Sequence, residues 1–235
     1  MLWTRYWKTY ILPEKNTEQP SDALSDRLSA CYSGALHDTL RELGHTNCVL
    51  PSDIKPIDPS YKLAGREFTM EGHLEPGLDG HETLLRWTEF LARAPADRVV
   101  ICQSNDSTIA HMGELSAETL QFRGVRGYIV DGGNRDTEFV LAMGFPVFCR
   151  YLTPKDVVGV WVPDRFAEPI EIGGVAIAND DYVFADRDGV VIIPADMAEQ
   201  TVSHVEKMMQ TENLARKDIL DGMDPKQAYL TYGKF

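Results

Sequence analysis

Between residues 21 and 43 the apolar residues Leu24, Leu28, Cys31, Ala35, Leu36, Leu40 and Leu43 recur mostly three or four positions apart. That is the period of one helical face; it is interrupted near Tyr32-Ser33-Gly34 and stops at Gly44. "KLAGREFTMEG" shortens the period towards two and predicts a strand. "GLDGHETLLRWTEFLARAPADRVVICQS" then reads as loop, amphipathic helix, turn and a buried strand over residues 99–102. A second helix is predicted over residues 113–123, carrying Leu115, Ala117, Leu120 and Phe122, and "GVRGYIVDGG" follows as a short buried strand. "FVLAMGF" reads as a helix and "PVFCRYL" as a strand, so helix and strand alternate through the middle of the chain, the signature of a helix-covered sheet.

The last third changes character. "PIEIGGVAIANDDYVFADRDGVVIIP" is β-rich, with hairpin signals at Gly173-Gly174, Asn179-Asp180 and Asp188-Gly189, and a helix is predicted from about 195 to 220. At the other end, most of "MLWTRYW" is aromatic or large and apolar, and Pro13 and Pro20 frame a polar stretch. Residues 1–20 are therefore expected to form an arm that packs on a neighbouring subunit or on the domain surface, with residues 21–235 as a single domain.

Composition narrows the partners. With 36 acidic against 23 basic residues the net charge is −13, a field that repels phosphate backbones and anionic membranes. No nucleic acid and no membrane partner is expected, whereas a small anionic substrate is compatible if a cation and one arginine dominate at short range. The four cysteines are scattered without a CxxC pair, which argues against a zinc knuckle or disulfide framework. The N-terminal stretch lacks the uninterrupted apolar core of a signal peptide, and no apolar run reaches membrane-spanning length, so a cytoplasmic protein is expected.

The candidate chemistry lies in "GYIVDGGNRDTEF", residues 127–139, where Arg135 and Asp136 follow a strand and two glycines. One reading is structural: an ion pair, or Asp136 capping the helix of "TEFVLAM". The other is a site in which Asp136 binds a hard cation and Arg135 faces an oxyanion. Gly132 and Gly133 permit a sharp turn and the approach of a ligand. Upstream, "HMGELSAETL" places Glu114 in the first turn of a helix, where the backbone N–H groups of Leu115 and Ser116 can hold a carboxylate.

Twenty residues separate Glu114 from Arg135, enough for one helix and one strand to return to the same end of a sheet. His111 is a candidate substrate contact. By contrast, His73 and His81 fit no ligand spacing, His37 and Asp38 read as solvated or subunit-facing, and Asp186 and Asp188 read as hairpin residues. Glu206 and Glu212, on the last helix, are candidates to reach a neighbour's cleft.

"GELSAETLQFRGVRGYIVDGGNRD" resembles the signature of the RraA-like proteins, a family of aldolases and of regulators of ribonuclease E activity. The resemblance extends through "SGALHDTLRELG", "LAGREFT", "MGFPVFCRYLTP" and "IEIGGVAIANDDYVFADRDGVVIIP" over roughly residues 30–208. It implies an α/β fold of the swivelling β/β/α type, assembled as a homotrimer or homohexamer with sites between subunits. It also implies a class II pyruvate aldolase or oxaloacetate decarboxylase using Mg²⁺ or Mn²⁺ on a 2-oxo acid. The family hallmark D-x20-R-D is matched at Arg135 and Asp136, but Glu114 stands where it has aspartate, one carbon longer at equal charge. By that resemblance Asp136 binds the metal, Arg135 stabilises the enolate oxygen and Glu114 orients a water at the metal. The Leu115 and Ser116 amides hold the substrate carboxylate, and the departure of "SNDSTIAHMGE" from the family's glycine-rich loop bears on which substrate is taken.

Overall fold

A computed structural model describes residues 22–233, and the expected arm over residues 1–20 lies outside the described residues. The interrupted period at the start resolves into two helices, α1 (Ala23–Ser29) and α2 (Ser33–Glu42). Asp22 caps α1 by accepting the N–H of Leu24. The carboxylate of Asp186, distant in sequence, accepts the N–H of Ser33 at 3.1 Å and so fixes where α2 begins.

After a two-residue strand β1 (Lys55–Pro56), the period-two segment forms β2 (Leu63–Leu74). Helix α3 (Gly80–Arg93) is capped by Asp79, which accepts the N–H groups of His81 and Glu82, and leads to β3 (Arg98–Gln103). The middle of the chain continues as α4 (Glu114–Phe122), β4 (Gly127–Val130), β5 (Gly133–Asn134), α5 (Thr137–Met143), β6 (Val147–Cys149) and β7 (Tyr151–Leu152). The β-rich third contains β8 (Trp161–Phe166), β9 (Ile170–Ile172), β10 (Val175–Ile177), β11 (Tyr182–Ala185) and β12 (Val190–Ile193). Two helices follow, α6 (Ala198–Leu220) and α7 (Pro225–Tyr232).

The main sheet runs β1-β6-β4-β3-β2-β11-β12, with β8 also on β2. Strand β2 is long enough to serve two partners along the edge away from β3: Leu63 to Arg66 pair with β11, and Met70 to Leu74 pair with β8 across a bulge at Glu71/Gly72. β2, β3, β4 and β6 are mutually parallel, so the carboxyl ends of β3, β4 and β6 open on one edge. Ligands of open α/β sheets gather at that edge.

Alternation along the buried strands divides the core into layers. Val100, Cys102, Tyr128 and Val130 pack against Trp87, Phe90, Leu120 and Val140 of α3, α4 and α5. Val99, Ile101 and Ile129 face the opposite way, against Ile172, Ile177, Val183 and Ile192. A third layer sets α1, α2 and α6 on the outer face of β11 and β12, through Leu28, Leu36, Leu40, Phe184, Val191 and Val202.

Two of the three hairpin signals make hairpins. Gly173 and Gly174, both at positive φ, join β9 to β10, and Asp188-Gly189 joins β11 to β12. Asn179-Asp180 instead links β10 to β11, which belong to different sheets, and Asp180 is drawn into an ion pair with Arg98. "PVFCRYL" splits at Arg150, which is tied to Asp131 and Asp53; β6 stays in the main sheet while β7 pairs with β5. Among the described residues no helix is long and apolar enough to cross a membrane.

Candidate active site

Beyond β3 the chain runs alongside β5 and is bonded to it. Ala110 bridges Gly133, the N–H of His111 donates to the carbonyl of Gly133 at 2.8 Å, and the N–H of Arg135 donates to the carbonyl of Met112 at 2.9 Å. This register brings Gly113, the N-cap of α4, against Arg135 and Asp136. A Cβ on Gly113 would sit 2.7 Å from Asp136 Oδ2 and 3.0 Å from Arg135 Cγ, so the lack of a side chain there is what lets these two approach so closely.

The structural reading of the Arg-Asp pair is met in part: Asp136 is ion-paired with Arg135 but does not cap its own helix. It occupies the N-cap position of α5 in left-handed backbone, φ 53° and ψ 35°, yet its side chain makes no capping hydrogen bond. Its Oδ2 instead accepts the N–H of Glu114 at 3.2 Å and Nε–H of Arg135 at 3.1 Å. A backbone cost is thus accepted while the carboxylate points out of its own helix and into the start of another. Arg135 Nη1 lies 3.1 Å from Asp156 Oδ2, a partner that no sequence motif announces.

Glu114, Arg135 and Asp136 therefore converge as the spacing suggested. Partial burial, and then the negative charge of Asp136 and of Glu118, raise the carboxyl pKa of Glu114. The hydrogen bond to Asp136 raises that of the Arg135 guanidinium, with Asp156 contributing. Three carboxylates against one guanidinium leave this corner short of positive charge. Among the described residues no three His, Cys, Asp or Glu side chains form a metal cage. Glu114 and Asp136 do offer two carboxylates, the donor type that Mg²⁺ and Mn²⁺ take alongside water and substrate oxygens.

The backbone N–H groups of Leu115 and Ser116 belong to the first turn of α4, where no preceding carbonyl of the helix can accept them. The hydroxyl of Ser116 is engaged, accepting Nε1–H of Trp87 at 2.9 Å and tying α4 to α3, while the side chain of Leu115 is exposed.

His111 is placed differently from expectation. Its ring is fully buried, edge-on to Trp161 with 4.9 Å between centroids, and neither ring nitrogen has a hydrogen-bond partner. Nε2 lies 3.6 Å from Asp106, and burial holds the imidazole pKa down at about 4. The expected substrate contact is thus corrected to a neutral packing role. The two glycines are corrected with it: a Cβ at Gly132 would run into His111 Nδ1, and one at Gly133 would lie 2.5 Å from the ring of Tyr151. The space they leave is filled by the protein's own side chains.

The remaining candidates lie apart from this corner. Glu206 is bonded by Arg27 and Glu212 by the Tyr32 hydroxyl, both within the chain. His73 pairs with Asp164, and His37 lies near Asp38. Asp186 accepts the N–H of Asp188 in its turn, as the hairpin reading required. An open cleft of about 570 Å³ at the same sheet edge is lined by Asp53, Asn105, Asp106, Asp131, Arg150 and Tyr151. Sequence reasoning missed it because Arg150 and Asp131 are nineteen residues apart and belong to no motif.

A parallel sheet closed by antiparallel β strands, with an acidic residue, arginine and aspartate at its carboxyl edge, defines an RraA-like α/β protein of the swivelling β/β/α type. The Aldolase/RraA family model, RraA-like, matches residues 33–192, more than half of the sequence, and the chain belongs to the RraA-like family. Among its relatives, a Halalkalibacterium halodurans protein named "Putative 4-hydroxy-4-methyl-2-oxoglutarate aldolase" is 29% identical over 206 residues, covering 86% of this chain and 89% of that one. The crystal structure of Streptomyces coelicolor RraAS2, described as an unusual member of the RNase ES inhibitor RraA protein family, superposes with a TM-score of 0.74. It is 25% identical, over 85% of this chain and 98% of that one. A Pseudomonas syringae protein at 23% identity shares the fold with a TM-score of 0.79, over 92% and 97% of the two chains.

Proposed function

We propose that this chain is a divalent-cation-dependent carbon–carbon lyase acting on a 2-oxo acid. It would cleave a 4-hydroxy-2-oxo diacid to pyruvate and a second oxo acid, and decarboxylate oxaloacetate through the same enolate. The observation that carries the reading is the Asp136 carboxylate, turned away from the helix it could cap and towards Glu114 and Arg135. The aldolase name of the Halalkalibacterium relative supports it.

Glu114 and Asp136 would hold Mg²⁺ or Mn²⁺, which when bound supplies a Lewis acid for the oxygen that becomes the enolate. The amides of Leu115 and Ser116 receive the substrate carboxylate at the positive end of α4. As the C–C bond breaks, its electron pair stays on the pyruvate fragment, and the N–H groups of Arg135 not engaged by Asp136 and Asp156 face the growing negative charge. Loss of one such preorganised donor lowers turnover by roughly 10²–10³. The leaving fragment's hydroxyl gives its proton to a water held by Glu114 and becomes the second carbonyl, and that water returns a proton to the enolate carbon. We place this chemistry in a homotrimer or homohexamer.

Incubating the purified protein with oxaloacetate and Mg²⁺ and coupling pyruvate to NADH oxidation tests the reading. Turnover abolished by EDTA and restored by Mg²⁺ or Mn²⁺ is expected. Absence of turnover with oxaloacetate and with every 4-hydroxy-2-oxo diacid tried would refute it. The likeness to RraAS2 favours a second reading, a regulator that docks on a ribonuclease; a stable stoichiometric complex with a ribonuclease and no turnover would establish that instead.

A further inference from the structure

We propose that Asp156 is a positioning residue for Arg135, resting on the lyase reading for the reaction it serves. The guanidinium is planar, and two of its nitrogens are held by carboxylates from different segments. Nε–H donates to Asp136 Oδ2 at 3.1 Å, and Nη1 is ion-paired with Asp156 Oδ2 at 3.1 Å. Asp136 adjoins Arg135 in the chain and grips the near end of the fork; Asp156 grips the far end, so that together they fix the last side-chain torsions. Without the second grip the long side chain regains much of its rotamer freedom.

Asp156 is itself immobilised. Its Oδ1 accepts the N–H of Val158 at 3.2 Å, which leaves Oδ2 for Arg135. On one side the carbonyl of Lys155 accepts the N–H of Ala110 at 3.0 Å, tying the segment to the strand-like run that leads to Glu114. On the other, the carbonyl of Val157 accepts the N–H groups of Val160 and Trp161, and Trp161 is fully buried. The carboxylate thus stands on a turn anchored in the core. It belongs to neither the D-x20-R-D pattern nor any helix, and it holds Arg135 with the remaining N–H groups directed at the anion.

The test is Asp156→Ala and Asp156→Asn, with pyruvate release from oxaloacetate and the ¹⁵N–¹H signal of Arg135 Nε–H as independent readouts. The signal is assigned by its disappearance in Arg135→Lys. We expect Asp156→Ala to lower kcat about tenfold with KM changed less than about threefold, the pattern of a misplaced group that acts in the transition state. Asp156→Asn, which keeps one oxygen acceptor and so can serve Val158 N–H or Arg135 in its present geometry but not both, should recover part of the loss. In an Arg135→Ala background Asp156→Ala should add nothing. The Arg135 Nε–H signal, sharp and protected in the parent protein, should broaden or vanish in Asp156→Ala.

An unchanged Nε–H signal in Asp156→Ala, or an equal loss of kcat with and without Arg135, overturns the proposal. If the parent protein shows no turnover, the lyase reading alone fails, and the Nε–H signal still decides whether Asp156 positions Arg135.

Discussion

His111 makes the fold acid-sensitive in a way that a single substitution should isolate. Burial lowers the imidazole pKa from 6.5 to about 4, against a smaller opposing pull from Asp106. Below pH 6.5 the unfolded chain binds a proton that the folded chain does not, so unfolding gains free energy as pH falls. The stabilisation associated with a neutral His111 is complete above pH 6.5, is lost progressively between 6.5 and 4, and changes no further below that. At about 1.4 kcal/mol per pH unit the full effect is about 3 kcal/mol, of which ~2 kcal/mol is reached by pH 5. Against a typical total of about 5–15 kcal/mol, that is easily measured.

His111→Phe is the matching perturbation. It keeps an aromatic edge for Trp161 and strands no partner, because neither imidazole nitrogen is hydrogen-bonded. Urea unfolding of parent and variant at pH 7.5, 6.0, 5.0 and 4.5, at one protomer concentration so that any assembly contributes equally, gives the comparison. Carboxylates remote from His111 titrate in both proteins and cancel in the difference, and Asp106, beside it, has its pKa lowered and so stays ionised over this range. The parent should lose ~2 kcal/mol more than His111→Phe between pH 7.5 and 5.0. Parallel curves would refute the reasoning, since they would mean that the folded protein protonates His111 as readily as the unfolded chain does.

Asp136→Gly removes the carboxylate and with it the left-handed strain, so pyruvate release should fall by at least about 10² while the melting temperature holds or rises. Gly113→Ala places a methyl group 2.7 Å from Asp136 Oδ2, and should reduce kcat by about tenfold or more with little change in thermal stability, since the clash falls on half-exposed side chains. Glu114→Asp restores the residue of the family hallmark and should retain Mg²⁺-dependent turnover within about tenfold, whereas Glu114→Gln, read in the same pyruvate assay, should lose about 10² or more.

The periodicity of the chain determined most of the elements on its own. The apolar spacing before Gly44, the strand at "KLAGREFTMEG" and the alternation through the middle each report a local requirement, one face to be buried, that short-range sequence must satisfy. The convergence of Glu114 with Arg135 and Asp136 was also legible, because a helix and a strand between them return the chain to the same sheet edge. The division of "PVFCRYL" was not: Arg150 leaves the main sheet because Asp131 and Asp53, far from it in sequence, hold its side chain.

Tertiary structure alone decided where the candidate side chains point. Whether Asp136 caps its helix or points elsewhere depends on a hydrogen bond from Glu114, twenty-two residues away, and on a Gly113 that admits it. His111 looked accessible as a loop residue, yet Trp161, fifty residues further on, closes over it, and Gly132 yields the space. Asp156 carries no pattern at all, and its importance lies only in where its turn is pinned. Local sequence sets backbone period and polarity, whereas burial, strain and charge pairing depend on contacts between distant segments, which exist only once the sheet has assembled.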